Sequence, residues 1–515
     1  MDGFVSGKVR LGGPLSLTEF VAVARHHARV EFAPEYVERV GSCRRMVEKW
    51  VAEERVMYGT TTGFGSLVSQ MIPPRDAEKL QRNIILTHST AVGEPLDEES
   101  VRAIMLMVLS ALGKGVSGVR IELLELYREM LNRGVTPVVP RHGSVGYLST
   151  EAHVAMVAIG GGRAVFNGQE LEGGEALRRA GLAPVTLSYK EGLALINGTL
   201  SPTALSALAI HDLINCVKAA DAVAAVSLEA LRGLTRACDP RIMAVRPEPE
   251  QAATAKNLLR LLNGSQVTEK YKDSHVQDAL SLRCIPQAHG AVKKTLWDAL
   301  RVVETELNAC CDNPIFFPDG KGDGDVLSNG NPDAGYQGLE MDSCCVAAAY
   351  LAKMSERRNT RFIDNNLSGY PSYLVKCPGL NSGLMIPQYS QAGLLNELRM
   401  LATPAVIDNV TTSGNQEDYV SMGYNACRKA QDAARLLEYV LAIELMSGYQ
   451  AQQFLDSSLR RGQGTAAVLA LVGRHVPVME EDMYLHPHLE AIRDLIHTGE
   501  LVAAVEKAVG PLNLR

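Results

Sequence analysis

The chain reads as a mostly α protein: a long central helical bundle with a smaller mixed α/β N-terminal part. Two observations predict this class. Apolar residues recur at three- and four-residue spacing through residues 280–311, 338–358, 388–401 and 417–455, with short polar connections between them. The composition, 46% hydrophobic and 21% charged over 515 residues, is that of a globular chain with a large core and excludes a wholly disordered one. We expect two parts, residues 1–200 and 201–515.

In chain order, residues 1–65 read as a short strand followed by helices at 18–27 and 35–54. Residues 58–65, Tyr-Gly-Thr-Thr-Thr-Gly-Phe-Gly, are too rich in Gly and Thr for a helix interior and predict a loop that lets backbone approach a ligand. Helical spacing returns at 76–87, 98–112 and 149–159, with a glycine-bearing loop at 143–146. Alternation around Asn167-Gly168 predicts a hairpin. A short helix follows at 173–181, then a third polar loop at Asn197-Gly198-Thr199 leading into a long helix from about residue 202 to 234. Residues 318–334, rich in Gly, Asp and Asn, read as a flexible excursion. Its aspartates lack the closing Glu of a calcium loop. The histidines crowded at 475–497 match no zinc spacing, so no metal is expected.

A net charge of −7 and a pI near 6.0 give no basic excess for phosphates, so nucleic acid is not an expected partner. Apolar runs such as 105–112 are too short to span a bilayer, and the first residues lack a charged region followed by an apolar run. Ten cysteines form no C-x-x-C pair. Reduced thiols in a cytoplasmic protein are the expectation.

Five polar islands interrupt the helical pattern: Tyr58–Gly65, His88 with its neighbours, Asn197-Gly198-Thr199, Arg283 in an apolar helix start, and Asn415-Gln416-Glu417-Asp418. Singly, each has a structural explanation: a bonded core tyrosine, a packed histidine, a turn, a salt bridge, a helix N-terminus with an acidic first turn.

Together the islands resemble the aromatic amino acid ammonia-lyases and aminomutases, most of all the histidine-type members. The resemblance runs from about residue 10 to residue 460. It rests on the Tyr58–Gly65 loop, Leu80-Gln81-Arg82-Asn83, Gly143-Ser144-Val145-Gly146, Lys190–Leu195 with Asn197-Gly198-Thr199, Gln277-Asp278 with Ser281-Leu282-Arg283, Asp312-Asn313-Pro314, Ser355–Arg358, Asn381–Met385 and Asn415–Asp418. It implies elimination of ammonia from an aromatic or histidine-like L-α-amino acid. Tyr58 would take the β-proton, and Arg283 would hold the carboxylate with its planar fork. Asn197 would orient electrophile and substrate, Gln277 would contact the substrate, and His88 and Glu417 would bond an imidazole that a phenyl ring could not satisfy. It further implies a cytoplasmic homotetramer whose active sites combine loops of several subunits. The implied cofactor is the electrophile 4-methylideneimidazol-5-one (MIO), cyclised from an internal Ala-Ser-Gly.

The chain departs from the family where that tripeptide belongs. Gly146 is followed directly by Tyr147, where relatives read Ala-Ser-Gly and then Asp. Either the triplet is already one modified residue that standard residues do not spell, or the chain lacks it and the cofactor is none. Leu280 stands for the tyrosine usual before Ser-Leu-Arg, Pro332-Asp333 follows Asn331 where many relatives have an aromatic residue, and Tyr419 replaces a histidine. Three readings follow: a lyase or aminomutase with MIO, an enzyme on the same scaffold without it, and a non-catalytic homologue. The survival of five site-like polar groups speaks against the last.

Overall fold

The structure, a computed structural model, describes residues 7–515. It is mostly helical, with four small sheets. Contacts divide the chain into two compact units. The first gathers the residues up to Ala209 with Leu300–Met341 and Pro404–Arg428; the second holds Ile210–Ala299, Asp342–Thr403 and Lys429–Arg515. This differs from the single division expected at residue 200. Four of the five boundaries fall inside long helices, Leu200–Ala230, Ile285–Glu306, Gly335–Ile363 and Gly423–Ala451, and the fifth, between Thr403 and Pro404, follows helix Met385–Leu401.

In the first unit, strand Lys8–Leu11 pairs in parallel with Arg29–Phe32, joined by helix Leu17–Ala24. Ser16 starts that helix with a capping box: its Oγ accepts from Glu19 N at 3.2 Å, and its own N–H donates to Glu19 Oε2 at 3.0 Å. Helix Pro34–Ala52 buries Cys43, Met46, Val47 and Trp50 against Phe316. The hairpin expected at Asn167-Gly168 joins Arg163–Phe166 to Gln169–Glu172, with φ of 49° and 74° at its two turn residues, as a tight right-twisted hairpin requires.

Three expectations are corrected. The excursion at 318–334 contains a hairpin, Ile315–Pro318 with Gly324–Leu327, pinned where Trp50 Nε1 donates to Asp323 Oδ1 at 2.8 Å. The helix expected at 280–311 breaks at Cys284 into Leu280–Arg283 and Ile285–Glu306; Pro286 lacks an N–H and disfavours helical geometry before it. The helix expected from Glu417 begins at Gly423, because Thr412 and Glu417 pair as a bridge that closes a loop.

The second unit is built round buried polar clusters as well as apolar faces. Arg358 makes a bidentate pair with Glu444 at 2.6 and 2.9 Å, both wholly enclosed. Asp221 accepts from His289, Lys293 and Asn257. Contrary to the expectation that no apolar stretch is long enough, the helical stretch Glu191–Ala230 has the length and hydropathy to cross a membrane. Its most apolar window is entirely buried in protein, the signature of a core helix.

Candidate active site

A cavity of about 820 Å³ opens in the first unit, the size of a small-molecule site. It is walled by the 58–67 loop, the end of helix Ala77–His88, the 143–149 loop, residues 329–333 and the 412–421 loop. The threonines explain why the first loop holds its shape without being helical. Thr61 Oγ1 accepts from Met57 N at 2.8 Å and donates to Arg55 O at 2.9 Å, while Thr62 Oγ1 accepts from Gly59 N at 3.2 Å. Gln81 ties this loop to helix Glu191–Ile196, donating to Gly59 O and accepting from Leu193 N, each at 3.1 Å. Gly65 takes φ of +55°, and a Cβ there would stand 2.3 Å from Ser413 Oγ. Glycine is thus what lets the first and last loops touch.

Tyr58 points its hydroxyl back across this loop, accepting from Gly65 N at 2.9 Å. Burial raises its pKa and the charge of Glu417 adds to the rise, while the Gly65 N–H opposes it. The phenol is therefore protonated at neutral pH. His88 ends its helix half-buried, with Nδ1 3.1 Å from Thr87 Oγ1. Burial pushes its pKa below the ordinary histidine value, against the pull of the Ile84 carbonyl and Glu417, so its ring is neutral. Glu417 is oriented by the Thr412 hydroxyl, which donates to Oε2 at 3.2 Å.

Asn197 is set from behind. Its Nδ2 donates to Asn313 O at 2.8 Å and to Asp312 Oδ1 at 3.3 Å. Asp312 is in turn neutralised by Lys190, whose Nζ lies 2.8 and 2.7 Å from its two oxygens, both side chains buried. Lys190 holds a left-handed backbone, φ 70°, a strained conformation that its ion pair fixes. The motif match included Lys190 and Asp312, but nothing in it distinguished them from packing residues; an Asp and a Lys inside apolar stretches were the available signal.

At the Gly146–Tyr147 junction the main chain is continuous. Leu148, φ 76° and ψ −71°, makes a three-residue turn in which Ser149 N donates to Tyr147 O at 3.1 Å. This positive-φ γ-turn is rare and costs about 1–3 kcal/mol. Leu148 N donates to Ile196 O at 3.0 Å, and Ser144 Oγ to Tyr147 O at 3.2 Å, which hold the turn in place. The Tyr147 ring enters the cavity. Burial pushes its phenol above the ordinary tyrosine value, and Glu417, Asp333 and Tyr58 all push the same way. Four acidic groups thus share one electrostatic neighbourhood. The family's MIO needs an Ala-Ser-Gly segment here, and the junction has none: Gly146, buried, is bonded to Tyr147. The residues present do not fit that group.

Tyr58, His88, Asn197, Glu417 and Tyr147 therefore meet in one cavity, with Gly146 beside it. Arg283 and Gln277 do not line it. Both belong to the second unit, where Gln277 is exposed and Arg283 is half-buried, its Nε enclosed without a hydrogen-bond partner. Asp333, noted in the sequence as a departure from relatives, lines the cavity, and so does Thr412, which had not been singled out. A cavity of about 930 Å³ in the second unit has mostly apolar walls, among them Pro240, Met243 and Leu259, and holds none of the polar islands. Also in that unit, Asp212, Glu438 and His497 bring ligand atoms within 4.8 Å of one another, and Arg493 Nε lies 3.1 Å from Glu438 as the cation there.

A mostly helical chain whose loops gather titratable side chains round one cavity defines an enzyme scaffold rather than a binding module. A family model, aromatic amino acid lyase, matches residues 15–474, and the chain belongs to that family. The histidine ammonia-lyase of Symbiobacterium thermophilum is 46% identical over 507 residues, covering 98% of this chain and 99% of that one. The crystal structure of histidine ammonia-lyase from Trypanosoma cruzi superposes with a TM-score of 0.91 at 36% identity, covering 98% and 96% of the two chains. The ergothioneine-degrading enzyme ergothionase from Treponema denticola, solved with desmethyl-ergothioneine sulfonic acid, gives 0.88 at 25% identity, covering 96% and 99%. Members of the family use MIO.

Proposed function

We propose that this chain is a carbon–nitrogen lyase, eliminating the α-nitrogen of an aromatic or histidine-like L-α-amino acid, histidine favoured, to leave the α,β-unsaturated acid. One observation carries the reading: Tyr58, His88, Asn197 and Glu417 converge on one cavity of small-molecule size. In it, neutral His88 and Glu417 bond the two nitrogens of an imidazole, and Tyr58 receives the β-proton. A phenol held above its ordinary pKa needs positive charge nearby to work as a base, and a bound cationic substrate brings it. Asn197, set by Asp312 and Lys190, orients the substrate backbone.

The carboxylate anchor is Arg283. We propose a homotetramer in the cytoplasm in which a neighbouring copy supplies Arg283 and Gln277 to the cavity, which fits the unpartnered Arg283 Nε. The Gly146–Tyr147 junction favours a second reading of the same chemistry: elimination or amine migration on this scaffold with no internal electrophile.

The test is formation of the conjugated acid, followed by its ultraviolet absorbance, from imidazole-bearing α-amino acids. If neither histidine nor any N-methylated form of it yields that acid, the lyase reading fails. Mixing inactive Tyr58→Phe and Arg283→Ala proteins through reversible dissociation should restore about a quarter of the activity if sites are shared between copies. Recovery of none would leave each site within one chain.

A further inference from the structure

We propose that the substrate's α-nitrogen is quaternary, a trimethylammonium betaine of an imidazole amino acid, and that the leaving group is trimethylamine. This rests on the lyase reading of the same cavity and names the class of nitrogen it expels.

The first ground is the chemistry of a lyase without an electrophile. A primary ammonium carries N–H protons far more acidic than a β C–H. A base placed beside it takes an N–H proton first and leaves a neutral amine, which is not expelled. An electrophile overcomes this by capturing the nitrogen lone pair, and the Gly146–Tyr147 junction supplies no such group. A nitrogen with four carbon substituents has neither a proton to lose nor a lone pair to capture. It stays cationic at every pH, and the base can remove only the C–H proton.

The second ground is what the cavity offers a cation. Among the described residues, its lining includes the carboxylates Asp333, Glu417 and Asp418 and no lysine or arginine. The rings of Tyr58, Phe64, Tyr147 and Tyr419 also line it. Carboxylates with aromatic faces are the recognition set for a quaternary ammonium, which makes no hydrogen bonds and is held by ring faces and charge. Tyr147 belongs to this set and directly follows the junction, in place of the aspartate that comes after the relatives' Ala-Ser-Gly.

The third ground is Tyr58. Its phenol, and that of Tyr147, are pushed above their ordinary values by burial and by Glu417. A permanent cation among them acts in the opposite sense, so substrate binding itself favours the phenolate. That phenolate, its own proton already released to solvent, takes the β-hydrogen as a proton. The C–H electron pair becomes the Cα–Cβ π bond, the Cα–N bond breaks, and its pair leaves on neutral trimethylamine. The products are the unsaturated carboxylate, trimethylamine and the proton on Tyr58, which passes to water.

The test uses the purified full-length protein with L-histidine and its Nα-trimethyl betaine in parallel, reading the conjugated acid by absorbance and the released amine by proton NMR. The expected result is a kcat/KM about a thousandfold higher for the betaine. Histidine converted as fast as the betaine would overturn the proposal and leave the lyase reading standing. Conversion of neither, with binding seen by calorimetry, would overturn both. Intact mass gives an independent arm, expected to match the unmodified chain. A mass lower by two waters would reveal cyclisation at another Ser-Gly triplet, Thr412-Ser413-Gly414 at the cavity being the candidate, and would remove the proposal's first ground.

Discussion

In the second unit Asp221 is fully enclosed, and each neighbour that bonds it is enclosed too: Lys293 Nζ at 2.6 Å, His289 Nδ1 at 2.9 Å and Asn257 Nδ2 at 2.9 Å. Burial alone would raise that carboxyl, yet Lys293 and His289 outweigh it and hold the pKa below the ordinary aspartate value. In the first unit, Tyr58, Tyr147, Glu417 and Asp333 are gathered with no cation among them; burial lifts the proton affinity of both phenols, and Glu417 adds to it at each. One cluster has satisfied its charges internally and serves the fold. The other is incomplete until something positive enters it.

Removing one group from each cluster separates the two roles. Tyr58→Phe should lower the rate of elimination by about 10²- to 10⁴-fold, the range for a lost acid–base group, with ligand affinity by calorimetry and melting temperature little changed. A drop in melting temperature as large as the drop in rate would make Tyr58 a packing residue instead. Lys293→Met should do the reverse, leaving an unpaired buried carboxylate and costing about 3–5 kcal/mol in denaturant unfolding. If its stability matched the parent, the Asp221 cluster would not be the structural element described.

The contrast also explains what could be read from the residues alone. Tyr58, His88, Asn197 and Glu417 stood out because glycine, threonine and isolated polar residues interrupt apolar periodicity, and the structure gathers these four in one cavity. Asp221, His289 and Lys293 did not stand out. They lie within long helices where a polar residue reads as a solvated face, and only three-dimensional packing reveals that they face each other. The loss of residues after Gly146 was visible by comparison with the family's motif, but not its consequence. The γ-turn at Leu148 depends on a hydrogen bond to Ile196, far along the chain. The break at Cys284 had a local signal in Pro286, overridden by apolar spacing that continues through it.

Glu151 tests whether the neighbourhood of that turn carries a cost of its own. It lies in the first turn of helix Ser149–Ala158, wholly buried; Oε1 accepts from Ser201 N at 2.9 Å and Oε2 has no partner. Burial lifts its pKa to about 7. Between its unfolded value and 7 the native state binds the extra proton, so stability must fall as pH rises through that window. The loss is complete above 7, and below the unfolded pKa both states are protonated and none remains. The shift corresponds to about 3 kcal/mol. Glu151→Gln should flatten the slope of unfolding free energy between pH 5 and pH 7.5; an unchanged slope would assign it to other groups.

The smallest expected effect concerns His88, which marks the boundary between the two kinds of polar residue: it is bonded on one side, by Thr87 and the Ile84 carbonyl, and faces the cavity on the other. A neutral hydrogen bond to a substrate imidazole contributes about 0.5–1.5 kcal/mol, so His88→Ala should raise KM by about tenfold or less while kcat stays within a few-fold. Because burial holds its pKa below the ordinary histidine value, the parent's KM should stay flat from neutral pH down past 6.5 and rise only when the ring takes a proton. The variant should lose that acid limb. A KM profile identical in parent and His88→Ala protein would remove His88 from substrate recognition and leave Glu417 as the side chain that selects an imidazole.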